Sequence, residues 1–104
     1  MIVVYFTAKD EKEGLKIGEV LVKEKIAACS NVFPIKSIYR WKGEVRRGRE
    51  VAVFVKTKNN LYKKVVKRIR ELHSYELPVI EKYEVKTYPE LERWIRESVK
   101  SNLY

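Results

Sequence analysis

Val51-Ala52-Val53-Phe54-Val55 sets five apolar, mostly β-branched side chains in succession. A strand of that kind is covered on both faces, which places it in the centre of a sheet and makes a sheet the organising element of the fold. Working back from this run, Arg46-Arg47-Gly48-Arg49 is expected to form an exposed bulge or a second turn, and Lys42-Gly43-Glu44 supplies the turn that opens the strand. Before that turn, Ala27 to Trp41 reads as extended, with Ile35, Ser37, Tyr39 and Trp41 alternating against Lys36, Ile38 and Arg40. Pro34 removes a ladder donor, so this strand should be bent, bulged or at an edge. Further back, Asp10 with Glu13 three residues on forms a capping-box pattern. It opens an amphipathic helix whose apolar stripe is read as Leu15, Gly18, Leu21, Val22 and Ile26. Met1 to Thr7 is near-continuously apolar and reads as another buried strand.

Beyond the central run, Asn59 or Asn60 is expected to cap a second helix. Its stripe is Leu61, Val65, Ile69 and Leu72, widened by Tyr62 and Val66, with Lys63, Lys64, Lys67, Arg68 and Arg70 on the solvent side. Val79 to Lys86 reads as a strand with Val79, Tyr83 and Val85 on one face. Thr87 and Glu90 form a second capping-box pattern, and Pro89 sits where its missing N–H costs nothing. Leu91, Trp94, Ile95 and Val99 give a third helical stripe. The order β-α-β-β-α-β with a C-terminal helix is that of an α+β, ferredoxin-like sandwich. Such a sheet carries helices on one face only, so the third helix or another subunit must cover the other.

The 104 residues form one domain, 1–104, and contain no linker, repeat or low-complexity tract. The apolar fraction of 45% is enough for a core, although 36% of residues are charged. No apolar run approaches the roughly 18 residues of a membrane span, and Met1-Ile2-Val3-Val4-Tyr5-Phe6 lacks the flanks of a signal peptide. No membrane partner is therefore expected. A lone cysteine makes no disulfide and points to a reducing, cytoplasmic setting. Gln is absent, Cys and Met occur once each, and Lys, Arg and Glu abound, as in thermophile proteins. The formal net charge is +9, from 23 Lys and Arg against 14 Asp and Glu. It is concentrated from Lys36 to Arg70, where 13 basic residues face only Glu44 and Glu50. Such a segment can bind polyanions, or can be a solvated face that pairs with acidic parts of a neighbouring subunit. The second reading is preferred, and binding of nucleic acid beyond the generic electrostatic level is not expected.

Few residues carry obvious chemistry. His73 ends the second helix, where it is either a metal ligand or proton carrier, or a helix-ending polar residue making a local hydrogen bond. Cys29 is either a small buried hydrophobe or a thiolate for a soft metal. One thiol and one imidazole are too few for a closed four-ligand site, so Glu76 or another subunit would have to add donors. Gly14, Gly18, Gly43 and Gly48 match no phosphate-loop spacing, and no enzyme activity is expected. Tyr39 and Trp41, among Lys36, Arg40 and Lys42, suit a stacking platform or, preferably, an interface buried against another subunit.

These pieces together resemble the CutA family of divalent-cation tolerance proteins over nearly the whole chain. The resemblance rests on Ala27-Ala28-Cys29-Ser30-Asn31-Val32, Ser37-Ile38-Tyr39-Arg40-Trp41-Lys42-Gly43, Lys56-Thr57, His73-Ser74-Tyr75-Glu76-Leu77-Pro78 and Trp94-Ile95. Where the family usually has Cys-Ala-Asn and His-Pro-Tyr, this chain has Cys-Ser-Asn and His-Ser-Tyr. The resemblance implies a compact homotrimer, similar in architecture to PII-type signalling proteins, with a cytoplasmic role in tolerance of copper and other divalent metals such as zinc. It implies Cys29 and His73 as candidate metal ligands, to which Glu76 is expected to add an oxygen donor, while Tyr39, Trp41, Lys56, Tyr75 and Trp94 are the residues expected at an intersubunit pocket. A further cysteine found near the first strand in some members is absent here, which weakens a thiol-rich copper site. An anionic small ligand held in PII fashion is the alternative occupant.

Overall fold

The elements of this computed structural model, which describes residues 1–100, are β1 (Ile2–Ala8), α1 (Glu11–Lys23), β2 (Cys29–Trp41) and β3 (Glu44–Thr57), then a 3-10 turn (Asn59–Leu61), α2 (Tyr62–Leu72), β4 (Ile80–Glu84) and α3 (Pro89–Ser98). Of the expected domain, residues 101–104 lie outside the described residues. The strands form one antiparallel sheet in the order β2-β3-β1-β4, so the apolar run Val51–Val55 is central, as its composition demands. This is the expected α+β, ferredoxin-like arrangement. Ile2, Val4, Phe6 and Ala8 of β1 face the helices with Val51, Val53 and Val55, and close over Ile17, Leu21, Val65 and Ile69 in the main core.

Local chemistry sets several boundaries. The Asp10 side chain accepts the Glu13 amide at 2.9 Å and starts α1. Lys42 and Gly43, with φ of 50° and 80°, make the two-residue turn between β2 and β3, the left-handed pair favoured in hairpins. Pro34 lies on the edge strand within an unbroken register, so it needs no bulge. Pro89 occupies the first turn of α3.

Other expectations are corrected. Arg46 to Arg49 form neither bulge nor turn: they pair residue for residue with Tyr39 to Lys36. The face of α1 is rotated from the expected stripe, with Leu15 and Val22 exposed and Gly14, Ile17, Gly18 and Leu21 against the sheet. The reason is close approach. A Cβ on Gly14 would lie 2.7 Å from Val51 Cγ2, and one on Gly18 would lie 3.0 Å from Ser30 Cβ. Neither Asn59 nor Asn60 caps α2; both fall in the 3-10 turn, and Asn59 Oδ1 accepts from Lys82 Nζ at 3.0 Å. β4 is shorter than expected, and the Thr87–Glu90 box is not made, since Tyr88 holds the N-cap position of α3.

Two features position the site. β1 pairs with β3 only as far as Val51, so from Glu50 to the tip β2 and β3 pair only with each other. That leaves a two-stranded ribbon about 23 Å long, and the molecule measures 44 Å along its longest axis. Second, α3 packs through Ile95 and Val99 on Ala28 and Leu61, not over the open face of the sheet. That face keeps an aromatic row in view, with Phe33, Phe54 and Tyr83 exposed. Tyr5 meets Phe54 edge-on at 6.0 Å between centroids, and Phe54 meets Phe33 at 5.1 Å.

Candidate functional site

A cleft of about 910 Å³ runs between the ribbon and the segment that joins α2 to β4. Its walls include Tyr39, Trp41 and Glu50 from the ribbon and Tyr75, Glu76 and Leu77 from the joining segment. Alternation puts Tyr39, Trp41 and Glu50 on the open face together, because each is paired at odd positions of β2 or even positions of β3. The joining segment is fixed by side chains rather than by a ladder. Tyr75 donates its phenol hydrogen to Glu50 Oε2 at 2.6 Å. Burial, followed by this bond and the charge of Glu50, pushes the Tyr75 phenol well above its ordinary value. Tyr75 is therefore a hydrogen-bond donor at neutral pH and is not available as a base.

His73 anchors the same segment from below. Its Nδ1 accepts the Tyr75 amide at 3.0 Å, so the proton resides on Nε2, which donates to the Thr7 carbonyl at 2.6 Å. The ring also stands edge-on to Phe6, with centroids 6.2 Å apart, and 4.8 Å from Tyr75. Both nitrogens are thus engaged within the chain.

Glu13, which sequence reasoning treated only as half of a capping box, is the third anchor. Its carboxylate accepts the Lys9 amide at 3.1 Å and the Ser74 amide at 2.9 Å, tying α1 to the joining segment. Burial raises its affinity for a proton, but the bonds from Ser74 and Lys9 and the nearness of His73 outweigh it and hold the carboxyl below its usual range. A carboxylate with a lowered folded-state value adds stability above its unfolded value, and that stability is lost as pH falls through the folded one. Glu13→Gln is expected to cost about 1–3 kcal/mol at neutral pH. The difference from wild type should shrink as pH falls below the ordinary carboxylate value of 4.5. Denaturant melts at neutral and acid pH check this, and parallel losses at both would disprove the anchoring role.

The structure brings Tyr39, Trp41, Tyr75 and Glu76 together in the cleft and leaves the other expected residues elsewhere. Cys29 is a half-buried free thiol beside Lys56 on the open face, and Lys56 Nζ donates to Asn31 Oδ1 at 3.2 Å. In the sheet, Cys29 is level with Lys56 and Val3, whereas His73 is bonded to Thr7. Four residues of strand separate those levels, about 13 Å, so one chain does not bring Cys29 and His73 together. Trp94 is exposed on α3, away from the cleft lining. Among the described residues, no three His, Cys, Asp or Glu side chains are placed to hold a metal ion. No helix among them is long and apolar enough to cross a membrane.

Comparison with known proteins agrees with the fold. Residues 2–98 match the model of the CutA1 divalent ion tolerance protein family. The divalent-cation tolerance protein CutA of Thermotoga maritima is 40% identical over 100 residues, covering 95% of this chain and 99% of that protein. The crystal structure of CutA1 from Pyrococcus horikoshii superposes with a TM-score of 0.93 at 32% identity, covering 97% of this chain and all of that one. A structure from Archaeoglobus fulgidus, described as the periplasmic divalent cation tolerance protein CutA, gives 0.93 at 34% identity over 96% of this chain and all of that one.

Proposed function

The chain belongs to the CutA1 divalent ion tolerance family, and we propose that it serves metal tolerance as a non-catalytic homotrimer. The observation that carries the assembly is the uncovered aromatic face. Phe33, Phe54, Tyr39 and Tyr83 are between 37% and 52% exposed on the side of the sheet that carries no helix. Apolar surface of that kind is hidden by association. The sheet also ends in two unlike free edges, β2 and β4. Pairing the β2 edge of one copy with the β4 edge of the next is a head-to-tail contact, and such contacts close into rings. Three copies is the ring size implied by the sequence resemblance. Light scattering on the purified chain should give the mass of three copies; a monomer would overturn the reading.

The metal reading takes a specific form. The chain alone does not fit a closed centre, because His73 is engaged at both nitrogens and Glu76 lies in the cleft wall away from Cys29. Copper, the proposed metal in preference to zinc, is held by the Cys29 thiol with donors from a second subunit. A soft thiolate suits Cu(I), and Cys29 lies on the face that association covers. The free thiol supports a reducing compartment, the cytoplasm, as the setting. The alternative of an anionic small ligand draws on Lys36, Arg40 and Arg46 of the cleft wall, but Glu50 and Glu76 line the same cleft and oppose it.

A further inference from the structure

At the root of the ribbon Glu50 is half-buried, accepts the Tyr75 hydroxyl on Oε2 at 2.6 Å, and has no ion-pair partner among the described residues. Its neighbours on the open face are neutral. It pairs with Ile35, and the next pairs on that face are Ser37 with Gly48 toward the tip and Phe33 with Ala52 toward the core. Arg46, the nearest cation of β3 on this face, stands four residues farther along, about 13 Å away, beside Glu44 at 3.9 Å. Lys36 and Arg40 border the same cleft, but alternation starts their side chains on the opposite face of β2 from Tyr39 and Trp41. Phenols stand near the carboxylate instead. Tyr75 is bonded to it, and the Tyr5 hydroxyl is held above its ordinary value by burial and by the charges of Glu81 and Glu50. On a chain of net charge +9, a half-buried acid set among rings is not explained by solvation alone.

We propose that the cleft binds a small organic cation, an ammonium ion with an alkyl or aryl body, whose charge lies at Glu50 and whose body lies along the apolar and aromatic walls. A carboxylate among aromatic rings favours a large, weakly hydrated cation, because ring faces add cation–π attraction. A divalent metal ion needs several hard oxygen donors, and no three His, Cys, Asp or Glu side chains among the described residues are placed to supply them. An anion would meet Glu50 and Glu76. At about 910 Å³ the cleft has the size of a small-molecule site, and Ile35, Leu77 and Val79 give it apolar wall for the body of the ligand. Association sharpens the requirement. A copy paired along β2 borders the cleft and withdraws water from Glu50, and a charge buried without a partner is strongly disfavoured. The walls come from one chain, so the inference draws on the trimer reading only for the enclosure of the ligand.

The test titrates the full-length protein with hexyltrimethylammonium by calorimetry, with 1-hexanol and hexanoate as the neutral and anionic counterparts. The ammonium is expected to bind, and the alcohol and the carboxylate to bind at least tenfold more weakly. Added salt should weaken the ammonium. Glu50→Gln keeps an acceptor for Tyr75 but removes the charge, so it should weaken the ammonium tenfold or more and leave the alcohol unchanged. Circular dichroism melts and light scattering check that this variant folds and keeps the wild-type mass; the three probes on the wild type decide the question without it. The proposal is overturned if hexanoate binds as well as the ammonium, or if Glu50→Gln binds the ammonium as the wild type does. A wild type of three-copy mass that binds none of the probes overturns it too, and leaves the trimer reading standing. A Glu50→Gln protein of altered mass would assign the carboxylate to a cation of a second copy, and the ligand reading would fall.

Discussion

Truncating both aromatics of the ribbon, Tyr39→Ala with Trp41→Ala, is expected to break the assembly into smaller species or aggregates and to lower the melting temperature clearly. In the isolated chain Tyr39 is 45% exposed and Trp41 half-buried, at a part of the sheet where, among the described residues, β2 and β3 pair only with each other. Once buried between copies, each aromatic truncation should cost about 3–5 kcal/mol. The loss is repeated at every interface of the ring. Because the turn at Lys42-Gly43 and the unbroken ladder are local, the ribbon itself should still form. Dissociation would then be read as lost association, not lost folding. Light scattering across a dilution series separates the two. A double variant that keeps the wild-type mass and melting temperature would show that these aromatics serve the cleft rather than the assembly.

What could be read ahead of the structure, and what could not, follows the range of the interactions involved. The Asp10 cap, the Lys42-Gly43 turn, the central run Val51–Val55 and Pro89 at the start of α3 are decided by neighbours a few residues away. Where two remote segments meet, the local pattern misled. Apolar spacing alone turned α1 toward Leu15 and Val22, but Gly14 and Gly18 let the helix settle against Val51 and Ser30 on a different face. Arg46 to Arg49 looked like a break because a charged, glycine-containing stretch is usually a loop. In the ladder it is one half of a ribbon whose partner strand sets its register. The site divides in the same way. The sequence marks Tyr39, Trp41 and Tyr75 as pocket candidates and Glu76 as a metal ligand, and all four line one cleft. Glu50 and Glu13 were missed as site residues because their partners, Tyr75 and Ser74, lie 25 and 61 residues away in sequence. The capping-box position of Glu13 was the one signal that could have found it, and its carboxylate reaches past the box to Lys9 and Ser74 instead.

Copper binding should separate Cys29 from His73. Cys29→Ser is expected to weaken Cu(I) binding tenfold or more, about 1.4 kcal/mol, with the fold and the assembly intact, since the thiol is half-buried at a strand end and the hydroxyl is of similar size. His73→Ala should do the reverse. Removing the ring leaves the Thr7 carbonyl and the Tyr75 amide without their partner and opens space beside Phe6, which together should cost about 2–4 kcal/mol of stability. The joining segment would loosen, and with it the bond from Tyr75 to Glu50 that closes the cleft. Copper affinity, measured on the fraction that remains folded and assembled, should stay within twofold of wild type. His73→Gln, which keeps an amide donor and acceptor, guards against a variant too unstable to titrate. Calorimetry with a competing chelator gives the affinities, and denaturant melts give the stabilities. If the two histidine variants lose copper while Cys29→Ser keeps it, the ring must leave Thr7 and Tyr75 to bind metal, and the thiol assignment fails. If all three variants bind as wild type does, copper is held by other groups and the metal reading for Cys29 falls with it.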